Sequence, residues 1–515
     1  MLTVSFEKRD FSKYPRVHWE TLEVERFTKN AIGGPKYASL IATGSQLELF
    51  EFVEMLRCPV YIFHKERGKR VWWGFINKVT IFEEHGIEYG ISLDSMSNKL
   101  AVAYTENGER FTTTWDSDAT STAEYGTKEL LLTAHEITAT QVAQFQDTQL
   151  ENRKYPSPTP PQWGKVRKQA VARIECGGWW DTLGWRYYAN DKGKIAYEEN
   201  DTWGGREIGE DDRPRAAQSF QNKSGSSWVA SKIELSVWKV GAPTDNLEVA
   251  LYSDSGNAPN AQLSGTDDIA GANVETYSNW VTFTLDTPQT LADSTLYWIH
   301  IQRSGGIDAD NYFMIEGTTT DGYQDGGIKL YKTSTSSWIQ PYDRDFNFRV
   351  LGDLESTTQI TDAFDSHGEF IESYEVEDTS GVNSSPYRDG EATAQYEIEQ
   401  LLKMGTSNNR RLLATISDLR RVRIYEEPAQ WSEDYKIDPW GKITDRYDNP
   451  ILPEDCPVGN WTRLKGVVPD TINTTRISNP THFFIEESEY SPKRGYRIME
   501  TRDVLNPFDF TIREG

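Results

Sequence analysis

A chain of 515 residues is longer than one hydrophobic core organises, so roughly three or four folding units are expected. Its 79 acidic and 54 basic residues leave a formal charge of -25, which excludes a general electrostatic attraction to nucleic acid or anionic membranes. No apolar run approaches the roughly 20 residues of a membrane helix, so a soluble protein without membrane insertion is expected.

The start, MLTVSFEKRDFSKYP, lacks the basic and apolar parts of a secretory signal. Cys58, Cys176 and Cys456 are odd in number and far apart, which fits core residues better than a disulfide framework or a zinc site. With 17 Trp, 25 Tyr and 21 Phe among frequent turn residues, the composition favours pleated structure with a few helices.

In chain order, PVYIFH at Pro59–His64 and RVWWGFINKVTIFEEHGIEYGISL at 70–93 read as strands, with a hairpin turn at Gly86. Thr138 caps a helix predicted to run to about Lys154, with Val142, Phe145 and Leu150 on one side and Tyr155-Pro156 ending it. PSPTPPQWG then reads as a linker or extended strap. VARIECGGWWDTLGWRYY, at 171–188, predicts a strand that turns at Gly177-Gly178 and carries large rings for packing.

Composition changes near Gly204-Gly205 and Gly209–Pro214, a stretch that predicts a domain boundary. Beyond it IELSVWKV, LEVALYS, WVTFTL, LYWIHI and FNFRVL alternate apolar and polar residues, the pattern of an antiparallel β-sandwich. Residues 358–364 and 391–403 then predict helices, followed by a hairpin in RRLLATISDLRRVRIYEE. Near the end, Phe484–Tyr490 faces Tyr496–Met499 across Ser-Pro-Lys-Arg-Gly, a weak echo of the first hairpins that points to two related barrels.

Signals of catalysis are sparse in the chain. His18, His64, His85, His135, His300, His367 and His482 are scattered without metal-ligand spacing, and there is neither a phosphate-binding loop nor a nucleophile elbow. Two carboxylates suffice for glycoside hydrolysis, but Glu83-Glu84 and Glu486-Glu487 read better as solvated strand edges. Asp308-Ala-Asp310-Asn311 offers oxygen ligands without the spacing of a calcium loop and reads as a turn. The expectation is a chain that is not an enzyme and holds no metal and no cofactor.

Several segments carry a resemblance. Gly74-Phe75-Ile76 leading to Ile91–Met96, Glu124–Leu130 before the capped helix, Gly178–Asp181 through Tyr188, and Asn409–Thr415 with Arg421–Tyr425 together resemble baseplate hub proteins of tailed bacteriophages. Between them, Ala217-Gln218-Ser219-Phe220, Lys239–Thr244 and Leu251–Gly256 resemble the jelly-roll modules attached to many surface and tail proteins.

The resemblance implies a mainly β fold with some α+β: two tail-tube-like β-barrels, a small α+β region and an inserted β-sandwich, or jelly roll. The expected division is 1–110 for the first barrel, 111–165 for a helix-containing connector, 166–210 plus 430–515 for the second barrel, 211–355 for the sandwich and 356–429 for an α+β domain. It also implies a structural baseplate hub at the tail tip of a virion, assembled in the host cytoplasm. Such a hub is a homotrimer that contacts a distal tail protein, a tape-measure protein and other tail-tip proteins, and lets DNA pass in transit. The alternatives are a distal tail protein or adhesin, or a polysaccharide-degrading enzyme with a binding module.

For the sandwich the likeness implies binding of a host cell-surface glycan. Sugars dock flat C–H faces on aromatic rings while fixed polar groups take their hydroxyls. The candidates are Trp338, Tyr342, Tyr323, Tyr312 and Trp280, with Trp338 and Tyr342 foremost because they lie in the polar stretch STSSWIQPYDRD.

Overall fold

Rings and β-branched side chains alternating with polar residues, as in KRVWWGFINKVTIF, pack well on a pleated surface, and this stretch forms the 14-residue strand Lys69–Phe82. In the computed structural model the chain is mainly β with some α+β, in curled half-barrel sheets. The residues described are 2–15, 21–106, 109–190, 194–199, 203–210, 212–223, 227–318, 323–340, 344–377, 383–384, 388–406, 410–429, 434–465 and 482–503. They divide into two units, one of Met1–Tyr188, Ser356–Val382 and Gly390–Gly515, the other of Ala189–Glu355 and Asn383–Asp389.

In the first unit a 15-stranded sheet runs from Leu2–Phe6 through Pro59–His64, Lys69–Phe82, Val171–Gly177, Gly34–Thr43 and Glu23–Asn30 to His482–Ser491, Trp461–Leu464 and three short strands ending at Pro450–Ile451. Gly86 makes its hairpin with a φ of 86°, and His482–Ser491 pairs with Gly495–Asp503 across the Ser-Pro-Lys-Arg turn. The N-terminal strands meet the C-terminal ones in a ladder in which Phe27 faces Tyr490 and Asn30 faces Glu487.

Two parts of the expected division are corrected. Val171–Gly177 does not pair with the C-terminal strands. It lies between Gly34–Thr43 and Lys69–Phe82, because Ala172, Ile174 and Cys176 fill the core of those strands. The region 356–429 does not form a core of its own either. Ile360 and Phe364 of helix Ser356–His367, Ile398 and Leu402 of helix Ala394–Met404, and Leu412 all belong to the core that holds Trp72 and Trp179.

The aromatic run after Gly178 forms a 3-10 turn, Trp179–Trp185. Trp179 packs against Phe75 at 5.3 Å, Phe11 at 5.6 Å and Phe370 at 5.8 Å, so strand, N-terminal loop and helical region meet on one ring. Entry to that turn needs glycine, since a Cβ at Gly178 would stand 1.8 Å from the Pro35 carbonyl oxygen.

The connector also differs in extent. Lys99–Glu106 pairs in parallel with Glu129–Ala134, and helix Ala139–Arg153 covers both through Val142 and Leu150. This helix starts as its sequence predicts. Thr138 and Gln141 cap each other's backbone, which satisfies two of the free N–H groups at its start.

The second unit is a sandwich of a six-stranded and a seven-stranded sheet. Phe220, Ile233, Leu235, Val237, Phe283, Ile299, Ile301, Phe313, Phe348 and Val350 meet between the sheets. Its first strand is earlier than the expected boundary at 211: Lys194–Glu198 pairs with the last sandwich strand, Phe348–Gly352, and Trp203–Ile208 pairs with Tyr312–Gly317. The strands by which the chain enters and leaves the sandwich are therefore neighbours. In this unit the buried Arg303 pairs with the half-buried Asp245, with both contacts at 2.7 Å.

Candidate functional site: an aromatic face of the sandwich

In a strand, residues two apart share a face. Core residues Val249, Leu251, Ile299 and Ile301 point inward, so Glu248, Ala250, Tyr252, Trp298, His300 and Gln302 point away from the core. The central strand Arg215–Gln221 adds Arg215, Ala217 and Ser219 to the same outer face, and Ile328–Lys332 adds Lys329 and Tyr331. The short strand Ser337–Ile339 places Trp338 opposite Tyr331.

Four rings on this face form a chain. Tyr252 stacks on His300 at 4.8 Å, His300 meets the Trp338 ring edge-on at 5.7 Å, and Trp338 meets Tyr331 edge-on at 5.5 Å. The strands of His300 and Trp338 are separated by two others, and the first of these sets the buried Ala217 opposite His300. That small side chain leaves room for the larger rings to meet above it.

Beside the rings lies a cavity of about 220 Å³, lined among others by Ser219, Gln221, Asn257, Trp298, Lys329 and Gln340. Trp298 is held by its N–H, which donates to Asp254 at 2.8 Å, and Lys329 lies 5.5 Å from its ring. Partly open rings beside a polar cavity give both surfaces that a sugar needs, a flat apolar one and a set of fixed donors and acceptors.

His300 is buried, and that burial, reinforced by the positive charge of Arg215, pushes its pKa down to about 4. The folded state therefore holds fewer protons than the unfolded chain between about pH 4 and 6.5. The stabilisation is complete above the unfolded value and is lost as pH falls. At most about 3 kcal/mol is involved. His300→Phe is expected to narrow the stability difference between pH 7 and pH 5, measured by hydrogen exchange of sandwich peptides. An unchanged difference would contradict the neutral, buried imidazole.

Of the five residues expected to bind sugar, Trp338 lies on this face, half-buried, and Tyr342 lies outside the described residues. The other three do not converge with it. Tyr323 packs on the core: its ring meets Phe348 at 5.3 Å and its hydroxyl donates to the Gln221 carbonyl at 3.2 Å. Burial pushes the Tyr323 phenol up to about 12.

Trp280 and Tyr312 belong to the opposite sheet. Trp280 is covered by the Arg349 guanidinium at 3.9 Å, which is itself tied to Glu234 at 2.9 Å and to Glu199. Sequence reasoning missed Tyr252, Trp298, His300, Tyr331, Arg215 and Lys329. The available signal was strand parity: in LYWIHIQR, Trp298 and His300 alternate with core isoleucines.

Among the described residues no three His, Cys, Asp or Glu side chains are grouped to hold a metal. Asp308 is engaged in its own turn, accepting from the Asp310 N–H at 3.0 Å and from the Asn311 amide at 3.0 Å. Cys58, Cys176 and Cys456 are buried and free, and burial pushes the Cys456 thiol up to about 11. No family model matches the sequence, and no curated protein matches it either.

Proposed function

We propose that this chain is a structural subunit of a virus tail tip, a hub-like body that carries a glycan-binding sandwich. The observation that carries the binding half is the chain of rings Tyr252, His300, Trp338 and Tyr331 beside a polar cavity, on a sandwich with its own core. A large ring left partly open at such a place costs hydration, and a sugar face that covers it recovers that cost.

The assembly half is supported by the first unit. Its large sheet ends, among the described residues, on strands paired along one side, Leu2–Phe6 and Pro450–Ile451. Unpaired strand edges favour addition of further strands, which suits a homotrimeric ring and contacts with neighbouring tail-tip proteins. The acidic balance of the chain suits a passage through which DNA moves without sticking.

Sedimentation of the purified full-length chain is expected to give a trimer, and a strict monomer at every concentration would overturn the ring. Trp338→Ala is expected to weaken retention on host-envelope polysaccharide by about 30-fold, the effect of losing an aromatic anchor worth about 2 kcal/mol. Unaltered retention would remove the ring face as the binding surface.

A further inference from the structure

The cations of the ring face name the class of ligand, and the inference rests on the sugar-binding reading above. The chain holds 79 acidic residues against 54 basic ones, so an arginine or lysine has many carboxylates to pair with. Among the described residues Arg215 and Lys329 pair with none. Arg215 is exposed, its guanidinium lies 5.2 Å from the Tyr331 ring, and no carboxylate pairs with it among the described residues. Lys329 rests by the Trp298 ring and gives its ammonium N–H to the Asn257 carbonyl, again with no carboxylate partner among the described residues.

The carboxylates nearby are engaged elsewhere. Asp254 accepts from the Trp298 indole, Glu248 accepts from the Gln302 amide, and Asp325 on the cavity rim pairs with Lys223 at 2.8 Å. Strand pairing sets Arg215 opposite Tyr331 and Lys329 opposite Ala217, so the two cations are diagonal neighbours on one face. Both stand among the rings, so a ligand lying on Trp338 and Tyr331 has a positive charge beside it and another at the mouth of the cavity.

We propose that this face binds an anionic glycan, a polymer whose sugar or polyol units carry carboxylate or phosphate, with Arg215 and Lys329 taking the acid groups while Trp338 and Tyr331 take the apolar faces. Guanidinium and ammonium groups recognise both acids by charge-assisted hydrogen bonds, and desolvation by the rings strengthens each contact. His300 stays neutral at working pH, so Arg215 and Lys329 are the cations that this face offers an acid group, while Glu248 and Asp254 keep their charge on neutral donors.

Calorimetric titration of the full-length protein tests this with polygalacturonate, its fully methyl-esterified form and poly(glycerol phosphate). At least one of the two acidic polymers is expected to bind, the neutral ester at least tenfold more weakly than polygalacturonate if uronate is the source. Binding by the phosphate polymer alone identifies phosphate as the source and supports the proposal equally. Arg215→Gln with Lys329→Gln is expected to remove that tenfold advantage and the salt dependence, while Trp338→Ala weakens acidic and neutral polymers alike.

Equal binding of ester and acid, unaffected by the double glutamine variant, would overturn the anionic class and leave the sugar-binding reading standing. Binding of none of the three polymers, together with Trp338→Ala behaving as the parent on host-envelope polysaccharide, would overturn both. The two cations are on the sheet surface, so hydrogen-exchange protection of the sandwich is expected to be unchanged in the double variant.

Discussion

Asp245→Ala is expected to destabilise the sandwich by about 3–5 kcal/mol, because it leaves the Arg303 guanidinium buried without its counter-charge. Both guanidinium edges are committed: Nε and Nη2 donate to the Asp245 carboxylate at 2.7 Å, and Nη1 donates to the Asn311 carbonyl at 2.9 Å. Arg303 is 8% exposed, so water reaches its guanidinium poorly once the partner is lost. The loss is also local to the strand ends where Asp245 accepts from the Gly305 N–H at 2.8 Å. Arg303→Met with Asp245→Ala removes charge and partner together and is expected to cost less than Asp245→Ala alone. Hydrogen exchange of peptides from 194–355 measures both, and protection equal to the parent in Asp245→Ala would refute the argument.

In the first unit the largest effect is expected at Trp179. Trp179→Ala should cost about 3–5 kcal/mol, since the ring is 1% exposed and its removal empties the space between Phe75, Phe11 and Phe370. Its indole N–H has no hydrogen-bond partner among the described residues, so Trp179→Phe gives up volume but also relieves a buried unpaired donor. The phenylalanine variant is therefore expected to lose well under half as much as the alanine one. Denaturant titration of the full chain, with the sandwich followed separately by exchange, checks the ratio. Equal losses would show that the hydrogen-bonding argument is wrong.

Part of this fold was legible locally. Thr138 and Gln141 mark their helix because a side-chain oxygen three residues from a partner can cap it whatever surrounds it. Gly86 and the Ser-Pro-Lys-Arg turn mark their hairpins for the same reason: turn geometry is decided within four or five residues. The sandwich strands were legible because period-two alternation survives in any antiparallel partner.

The candidate site was only partly legible. Trp338 was found from its polar surroundings, whereas Tyr323 has similar surroundings and packs on Phe348. Composition near a ring does not say which sheet face it takes once strand register is unknown, and Trp280 ends beneath Arg349 on the other sheet.

The sequence by itself determined the strand-rich composition, the turns and caps, the parity of each strand and the acidic balance, because each of these depends on neighbours within a few residues. Only the tertiary structure decided that Val171–Gly177 joins the N-terminal strands, and that Trp338 reaches His300 across the small Ala217. Those contacts are set by which strands lie side by side, and strand order depends on how distant apolar faces share one core.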